Sequence, residues 1–532
     1  MAPHEVLSET ATFELLSLEG YSVASSPHDA KQDGYNGSTK TAEIAVSPEK
    51  LGIIPLVVMI FYSVSGGPFG CEATVRTGGN FYTLLGFGIM PFIWSMQEAL
   101  VTAELGTAFP EASGGVAWVE EAFGQNAGWM CGYLGWIAGA TDNAIYPVLF
   151  LEYVLRGEAM DAWLRFSLLS CASIVLGYIN WLGLPLVGKM SITIGCIAMS
   201  PFIIMTVVGV FQLDTSRWLE RPQEDASSFE QVEAETGGGF FPYAMPGGVM
   251  LRPFLNNLFW NLNSFDTAAS FAAEVDDPGR TLPRAMMYSV LLVFVCYFFP
   301  MLVAIGATGA QQSEWVDGYL ASITSEIAGP WLGAWTVFAA GISNIALFQC
   351  ELSADAFQLM GMAERGYLPK VFATRSKHGT PTYGIVLGTI VICLLGMANL
   401  AVLIEMLNFN YAISLLLELS AFIKLRIYQP DLHRPYRIPL NTVGCILLLT
   451  PTFMFTLVVL SLATYHTYAF VICVNVAGIS IFQVRKRTGM MYRAVSESLF
   501  GSSLDSSGDA TNLEKDMGSE LTPQQFVTRH FV

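Results

Sequence analysis

Between residues 50 and 484 the chain is a succession of apolar runs, each about 20 residues long, the length an α-helix needs to cross a bilayer. Helices are expected near 50–76, 82–108, 124–155, 162–181, 185–210, 254–274, 284–306, 331–358, 383–398, 400–427, 442–462 and 465–484. Composition supports the same class. Of the residues 53% are hydrophobic and 13% charged, where soluble domains carry roughly 25% charged residues. The fold class expected is an all-α membrane protein of about 12 transmembrane helices.

Two of the runs are interrupted. The first break is Ser65-Gly66-Gly67-Pro68-Phe69-Gly70 and the second is Trp260-Asn261-Leu262-Asn263-Ser264-Phe265-Asp266. Glycine costs about 1 kcal/mol in a helix interior and proline about 3 kcal/mol. Lipid offers the freed backbone groups no partner, so a broken helix at membrane depth must line protein or a wet cavity. Paired breaks in corresponding positions of two halves point to the binding site of a transporter. Five spans begin at each break and two are appended, which divides the membrane domain 49–487 into segments of about 50–210, 254–427 and 442–484. The tails, 1–48 and 488–532, are polar and expected to be disordered in the cytosol.

The formal charge of −18 lies largely outside the lipid, in the two tails and the 211–252 loop. That loop carries Asp214, Glu220, Glu224, Asp225, Glu230, Glu233 and Glu235. It reads as a solvated linker, with concentration of cations by its field as the functional alternative. No basic stripe exists to neutralise phosphates, so no nucleic-acid partner is expected. With the N-terminus inside, Lys and Arg concentrate on the cytosolic side, in 365–377, 424–437 and 485–487. The other side holds only Arg76, Arg156, Arg165, Arg217, Arg221 and Arg252. Both termini are therefore expected in the cytosol. No cleavable signal peptide is expected, because no basic region precedes an apolar one at the N-terminus. The nine cysteines show no CxxC pair and read as buried small hydrophobes. No metal spacing or nucleophile motif emerges, so neither a metal, a cofactor nor an enzyme is expected.

Ionisable groups inside spans cost about 2.5–3.5 kcal/mol each at a helix centre and mark function by default. Here they are nearly all acids: Glu98, Glu104, Asp142, Glu152, Asp266, Glu351, Glu405 and Glu418. Such a set calls for protons or a cationic substrate. Asp266 closes the second break, where it could pair with an ammonium group or cap the resumed half-helix. Asp142 and Tyr146 lie four apart on one face. They suit an organic cation through charge and cation–π contact, or simply bond to each other. Tyr411, Ser414 and Glu418 share a face of the tenth span; Glu418 could instead anchor to Lys424 or Arg426. Glu98 and Glu104 are six residues apart and point about 120° from each other, so they should have different roles. Glu351 and Asp355 share a face near the cytosolic end, as a gate pair or a site. An amino-acid carrier would use a half-helix N-terminus for its substrate's carboxylate; the count of acids favours a cation.

Several stretches together resemble the amino acid–polyamine–organocation superfamily, and within it the plant and protist polyamine uptake transporters. They are the first break, Glu98-Ala99-Leu100-Val101-Thr102-Ala103-Glu104-Leu105, Phe109-Pro110-Glu111 with Gly114-Gly115, and the run Asp142 to Leu151. The stretch Asn261 to Asp266, Glu274-Val275-Asp276-Asp277-Pro278 and Thr281-Leu282-Pro283 is similar again. The resemblance covers about 50–485 and implies a 5+5 inverted-repeat fold, alternating access and proton-coupled uptake. It places substrate against Ser65, Gly66, Gly67, Asp142, Tyr146, Trp260, Asn263, Asp266 and Tyr411, with Trp260 as an aromatic gate. Some members put a lysine on the fifth span in place of sodium; Lys189 opens that span and reads as a membrane-edge anchor. Proton coupling then falls to carboxylates, with Glu98 or Glu418 favoured over Glu104, and sodium remains open. The expected function is import of putrescine- or spermidine-class polyamines by a monomer in the plasma membrane, with an internal membrane as the alternative. An amino-acid permease and a non-transporting sensor are the rival functions.

Overall fold

The computed structural model describes residues 50–155, 160–222, 238–240, 248–398 and 400–487, with the side chains of 152–155 excepted. The expected tails, the loop acids Glu224, Asp225, Glu230, Glu233 and Glu235, and the side chain of Glu152 lie outside the described residues. Among the described residues the architecture is helical, with two isolated β-bridges and no strand. In chain order the helices are α1 (Ile53–Val64), α2 (Glu72–Met90), α3 (Met96–Ala108), α4 (Gly115–Phe123) and α5 (Gln125–Leu155). Next come α6 (Ala162–Trp181), α7 (Leu184–Gly209), α8 (Leu251–Leu262), α9 (Pro278–Ala307) and α10 (Leu320–Ala328). The last are α11 (Pro330–Glu364), α12 (Thr382–Leu395), α13 (Leu400–Tyr428), α14 (Thr442–Ser461) and α15 (Tyr465–Arg487).

Among the described residues, eight helical segments are long and apolar enough to cross a membrane, and they fall on the second, fourth, fifth, seventh, eighth, tenth, eleventh and twelfth expected spans. The other four expected positions are occupied by the two interrupted segments, by the 31-residue α5, and by α12, which is apolar but only 14 residues long. The second expected span is itself interrupted. A π-helical turn, Pro91–Ser95, separates α2 from α3, where the missing proline N–H removes one rung of the ladder. The chain turns from the first span into the second at Gly79, whose φ of 70° lies within α2.

Sidedness of polarity is reversed relative to a soluble domain. Large apolar side chains such as Trp163, Leu447 and Ile472 face outward, while Glu98, Glu104, Asp142, Glu351, Asp355 and Glu418 are buried. Lipid accepts the first group at no cost, and only the interior offers partners to the second. Four of the nine cysteines are buried as expected, Cys71, Cys131, Cys350 and Cys445; Cys296 and Cys393 are half-buried, and Cys171, Cys196 and Cys473 are exposed on α6, α7 and α15.

Both breaks form where the sequence places them. At the first, Gly67 and Gly70 take φ of 95° and 83°, a region closed to most side chains. At the second, α8 ends at Leu262 and the chain resumes as a 3₁₀ helix, Asp266–Glu274. The turn between them holds Ser264 at φ 73°, a conformation that costs a non-glycine residue about 1 kcal/mol or more and collects at functional sites.

Candidate functional site

The second break is held open by side chains of two other helices. Ser95 Oγ donates to the Leu262 carbonyl at 2.7 Å, and the Ser264 N–H donates to Tyr411 Oη at 3.0 Å. The Asp266 N–H donates to Glu98 Oε1 at 3.1 Å. Ser95 and Glu98 are three apart on the second span, so one helical face meets both sides of the break. Every one of these freed groups would be orphaned in lipid.

Tyr411, from α13, binds the two carboxylates together. Its Oη lies 2.6 Å from Glu98 Oε1 and 2.5 Å from Asp266 Oδ1. A phenol has one hydrogen to give. Two such short O···O contacts each need a hydrogen, so the arrangement is satisfied when Glu98 and Asp266 hold one further proton between them.

Asp266 and Tyr411 open onto a cavity of about 30 Å³, room for roughly two water molecules. Five carboxylates line it: Asp142, Asp266, Glu351, Asp355 and Glu418. No Lys, Arg or His is among its lining residues. Two glycines make space for the acids. A methyl group on Gly139 would stand 2.1 Å from Asp355 Oδ1, and one on Gly115 would stand 2.1 Å from Glu418 Oε1. Glu418 accepts from Cys131 Sγ at 3.5 Å, so neither Lys424 nor Arg426 claims it.

Trp260 sits beside the cavity. Its Nε1 donates to Asp142 Oδ1 at 2.9 Å, and its ring would lie 3.1 Å from a Cβ on Gly70. Tyr146 bonds to Asp142 as well, but it is not on the cavity wall. The structure shows the bond between Asp142 and Tyr146 and brings only Asp142 to the cavity. The bond to Tyr146 and the indole bond orient a carboxylate that still faces the cavity.

The remaining expected site residues stand apart from the cavity. Ser65, Gly66 and Gly67 line none of it. The Gly66 carbonyl accepts from Ser343 Oγ at 2.5 Å, Ser65 Oγ accepts from the Gly67 N–H, and a Cβ on Gly66 would strike Leu347 at 2.5 Å. The first break is packed onto α11 and contributes backbone shape. Asn263 is buried behind the turn, where its Oδ1 accepts from Ser264 Oγ at 2.9 Å. Glu104 belongs elsewhere altogether: it forms ion pairs with Arg426 and Arg434 and accepts from the Ile438 N–H. It does not line the cavity, and its contacts give it a structural task beside the proton-coupling role expected of it. Glu405 accepts from the Thr464 N–H just before α15. Lys189 is exposed, as a membrane-edge residue should be. In the polar loop after α7, Asp214 receives the Ser216 hydroxyl and N–H, which hold its carboxyl below the usual range. It also pairs with Arg217, so that acid has a local task.

Glu351 and Asp355, read from the sequence as a gate pair or a site near a helix end, lie deeper than that reading placed them. They are four apart in the second half of the 35-residue α11 and are buried on the cavity wall. The signal was present as an acidic i,i+4 pair in an apolar run; the length of α11 was not.

Two sets of polar contacts tie neighbouring segments together around the site. On the face where α1 begins, Arg365 grips Glu111 with two nitrogens, at 2.6 and 3.0 Å, and Glu120 with a third at 2.6 Å. Nearby, Arg375 pairs with Glu274 at 2.6 Å, and Leu51 bonds to Glu274 and Asp276. On the other face the Glu72 carboxylate accepts from the N–H groups of Gly70 and Gly318. Replacing Arg365 by Ala leaves Glu111 and Glu120 as unpaired like charges and should open the first face. Cys131, 1% exposed beside Glu418, reports the opening. Its modification by a small thiol reagent, read on its own peptide by mass spectrometry, should speed up at least about tenfold in the R365A variant. An unchanged rate would show that Arg365 does not hold that face closed.

Residues 51–482 match the amino acid permease family model. A protein of Arabidopsis thaliana named as a probable polyamine transporter is 43% identical over 423 residues, 79% of this chain and 84% of its own length. Polyamine transporter PUT1 of Oryza sativa subsp. japonica is 40% identical over 79% of this chain and 75% of its own. Among solved structures, MhsT in complex with L-phenylalanine superposes with a TM-score of 0.51. It covers 78% of this chain and 99% of its own at 13% identity. That likeness shows the fold, that of inverted-repeat transporters with broken first and sixth helices. With a family model spanning the membrane domain and the fold in agreement, this chain belongs to the amino acid permease family of the amino acid–polyamine–organocation superfamily, and is a multi-pass membrane transporter rather than an enzyme.

Proposed function

We propose that the chain imports polyamines of the putrescine–spermidine class across the plasma membrane, driven by protons, as a monomer with both termini in the cytosol. The observation that carries the reading is the cavity wall, with five carboxylates and no basic side chain. Buried charges need partners, and an organic polycation supplies them. An amino acid would also need donors for its own carboxylate. The N–H groups of Gly67 and Gly70 at the first break are already engaged, by Ser65 and Glu72. That favours the polyamine over the amino acid.

In this mechanism Asp266 receives an ammonium group, Asp142 lines the cavity that holds the rest of the molecule, and the proton held between Glu98 and Asp266 is the coupling ion. When that proton rests on Glu98, the Asp266 carboxylate is left charged for an ammonium group, so proton and substrate bind together. The cavity is smaller than a diamine requires, so in this mechanism the Glu72 side opens to admit substrate and the Arg365 side opens to release it. The concentration of Lys and Arg on the Arg365 face supports a cytosolic position for that face.

Uptake into proteoliposomes tests this directly, with labelled spermidine, arginine and leucine under imposed proton or sodium gradients. Spermidine should accumulate when the outside is acid, and leucine should not compete. Leucine uptake without spermidine competition would overturn the substrate assignment. Accumulation only under a sodium gradient would overturn the coupling ion. Binding without accumulation would make the protein a sensor.

A further inference from the structure

Within one small cavity the acids come from two directions. Asp266 and Glu418 stand on the side of the second break and α13, with Glu98 behind them; Asp142, Glu351 and Asp355 stand on α5 and α11. Asp266 has Tyr411, and Asp142 has Trp260 and Tyr146. Glu351 is different. It is 1% exposed, lies on the cavity wall, and its Oε2 has no hydrogen-bond partner. An unpartnered buried carboxylate oxygen is costly unless something else meets it. Asp355, one turn away on the same face, is 4% exposed, and the absence of a side chain at Gly139 leaves its carboxylate room.

We propose that Glu351 and Asp355 form a second ammonium subsite, which takes the distal amine of a substrate whose first amine is held at Asp266. The proposal rests on the polyamine reading above and narrows it. The transporter should select for molecules with at least two ammonium groups joined by a flexible alkyl chain, and should discriminate against a monoamine of equal carbon number. The chemistry is specific. A methyl group placed at Glu351 and Asp355 leaves two carboxylates buried without cations, whereas an ammonium group pairs with both and donates to the free Oε2.

Two probes separate the subsites: putrescine, with two amines, and butylamine, with the same four carbons and one. Binding is measured on detergent-solubilised full-length protein by competition against labelled spermidine, and directly by calorimetry. The wild type should bind putrescine far more tightly than butylamine. Glu351→Gln and Asp355→Asn should each weaken putrescine about 10- to 100-fold and leave butylamine within about twofold, so that the preference collapses. Gly139→Ala provides a route that alters neither acid, since its methyl would take the place of Asp355 Oδ1. It should lower the putrescine preference in the same way, even where an acid variant fails to fold. A putrescine-to-butylamine ratio unchanged in the folded variants overturns the second subsite. If the wild type binds neither amine but binds an amino acid, the polyamine reading itself fails, and the subsite with it.

Discussion

Asp266→Asn should abolish polyamine binding while leaving the protein folded. Asparagine keeps the shape of the side chain and an oxygen for Tyr411, whose Oη now lies 2.5 Å from Asp266 Oδ1. The N–H of residue 266 can still bond to Glu98. What disappears is the charge. Removing one partner of a buried ion pair costs about 3–5 kcal/mol, which corresponds to a loss of affinity of at least about 100-fold. Spermidine binding should therefore fall below detection, with the melting temperature in detergent close to that of wild type. Normal spermidine affinity in the variant would remove Asp266 from the site.

Glu98→Gln makes the informative contrast. It leaves the Asp266 carboxylate available to substrate but removes the other half of the proton-holding pair. Binding should persist, while accumulation against a gradient should cease to follow the pH difference across the membrane. Should E98Q still accumulate spermidine in proportion to the proton gradient, the coupling proton resides elsewhere, with Glu418 next in position.

Glu104→Gln should fail for a different reason, through stability. The Glu104 and Arg426 side chains are both fully buried, and Arg434 approaches Glu104 Oε1 at 3.1 Å with its own side chain 2% exposed. Arg426 also donates to the carbonyls of Leu440 and Ile438, and the Ile438 N–H donates to Glu104. The cluster ties the end of α3 to the end of α13 and to the loop that follows. With glutamine, two buried guanidinium groups lose their only carboxylate, at a cost of about 3–5 kcal/mol. The variant should lose its monodisperse peak on heating at a clearly lower temperature than wild type, whereas Asp214→Asn on the exposed loop should change little. If E104Q were as stable as wild type yet uncoupled from protons, Glu104 would return to the transport pathway.

The contrast between Glu98 and Glu104 shows where sequence reasoning stops. Helical periodicity separated the two acids by about 120° and so assigned them different tasks. It had no means to say which one met Asp266 and which met Arg426, because those partners lie 168 and 322 positions away in the chain. The same limit applies to Glu351 and Asp355. Their depth depends on α11 running for 35 residues, well past the span predicted from hydropathy. Ser65, Gly66 and Gly67 show the converse. The glycine-rich break was read correctly as a break, but whether its backbone faces a cavity or a neighbour is decided by Ser343 and Leu347 of α11.

What the sequence alone determined was the helical membrane class, the position of both breaks, and the excess of acids over bases at membrane depth. Each follows from local chemistry: apolar runs of spanning length, residues that cannot continue a helix, and charges that lipid will not solvate. Only the tertiary structure decided which acids converge on one cavity, which are spent on holding helices together, and that Tyr411 joins Glu98 to Asp266. Those are properties of contacts between distant segments, fixed by how broken helices must satisfy their backbone groups where no water can.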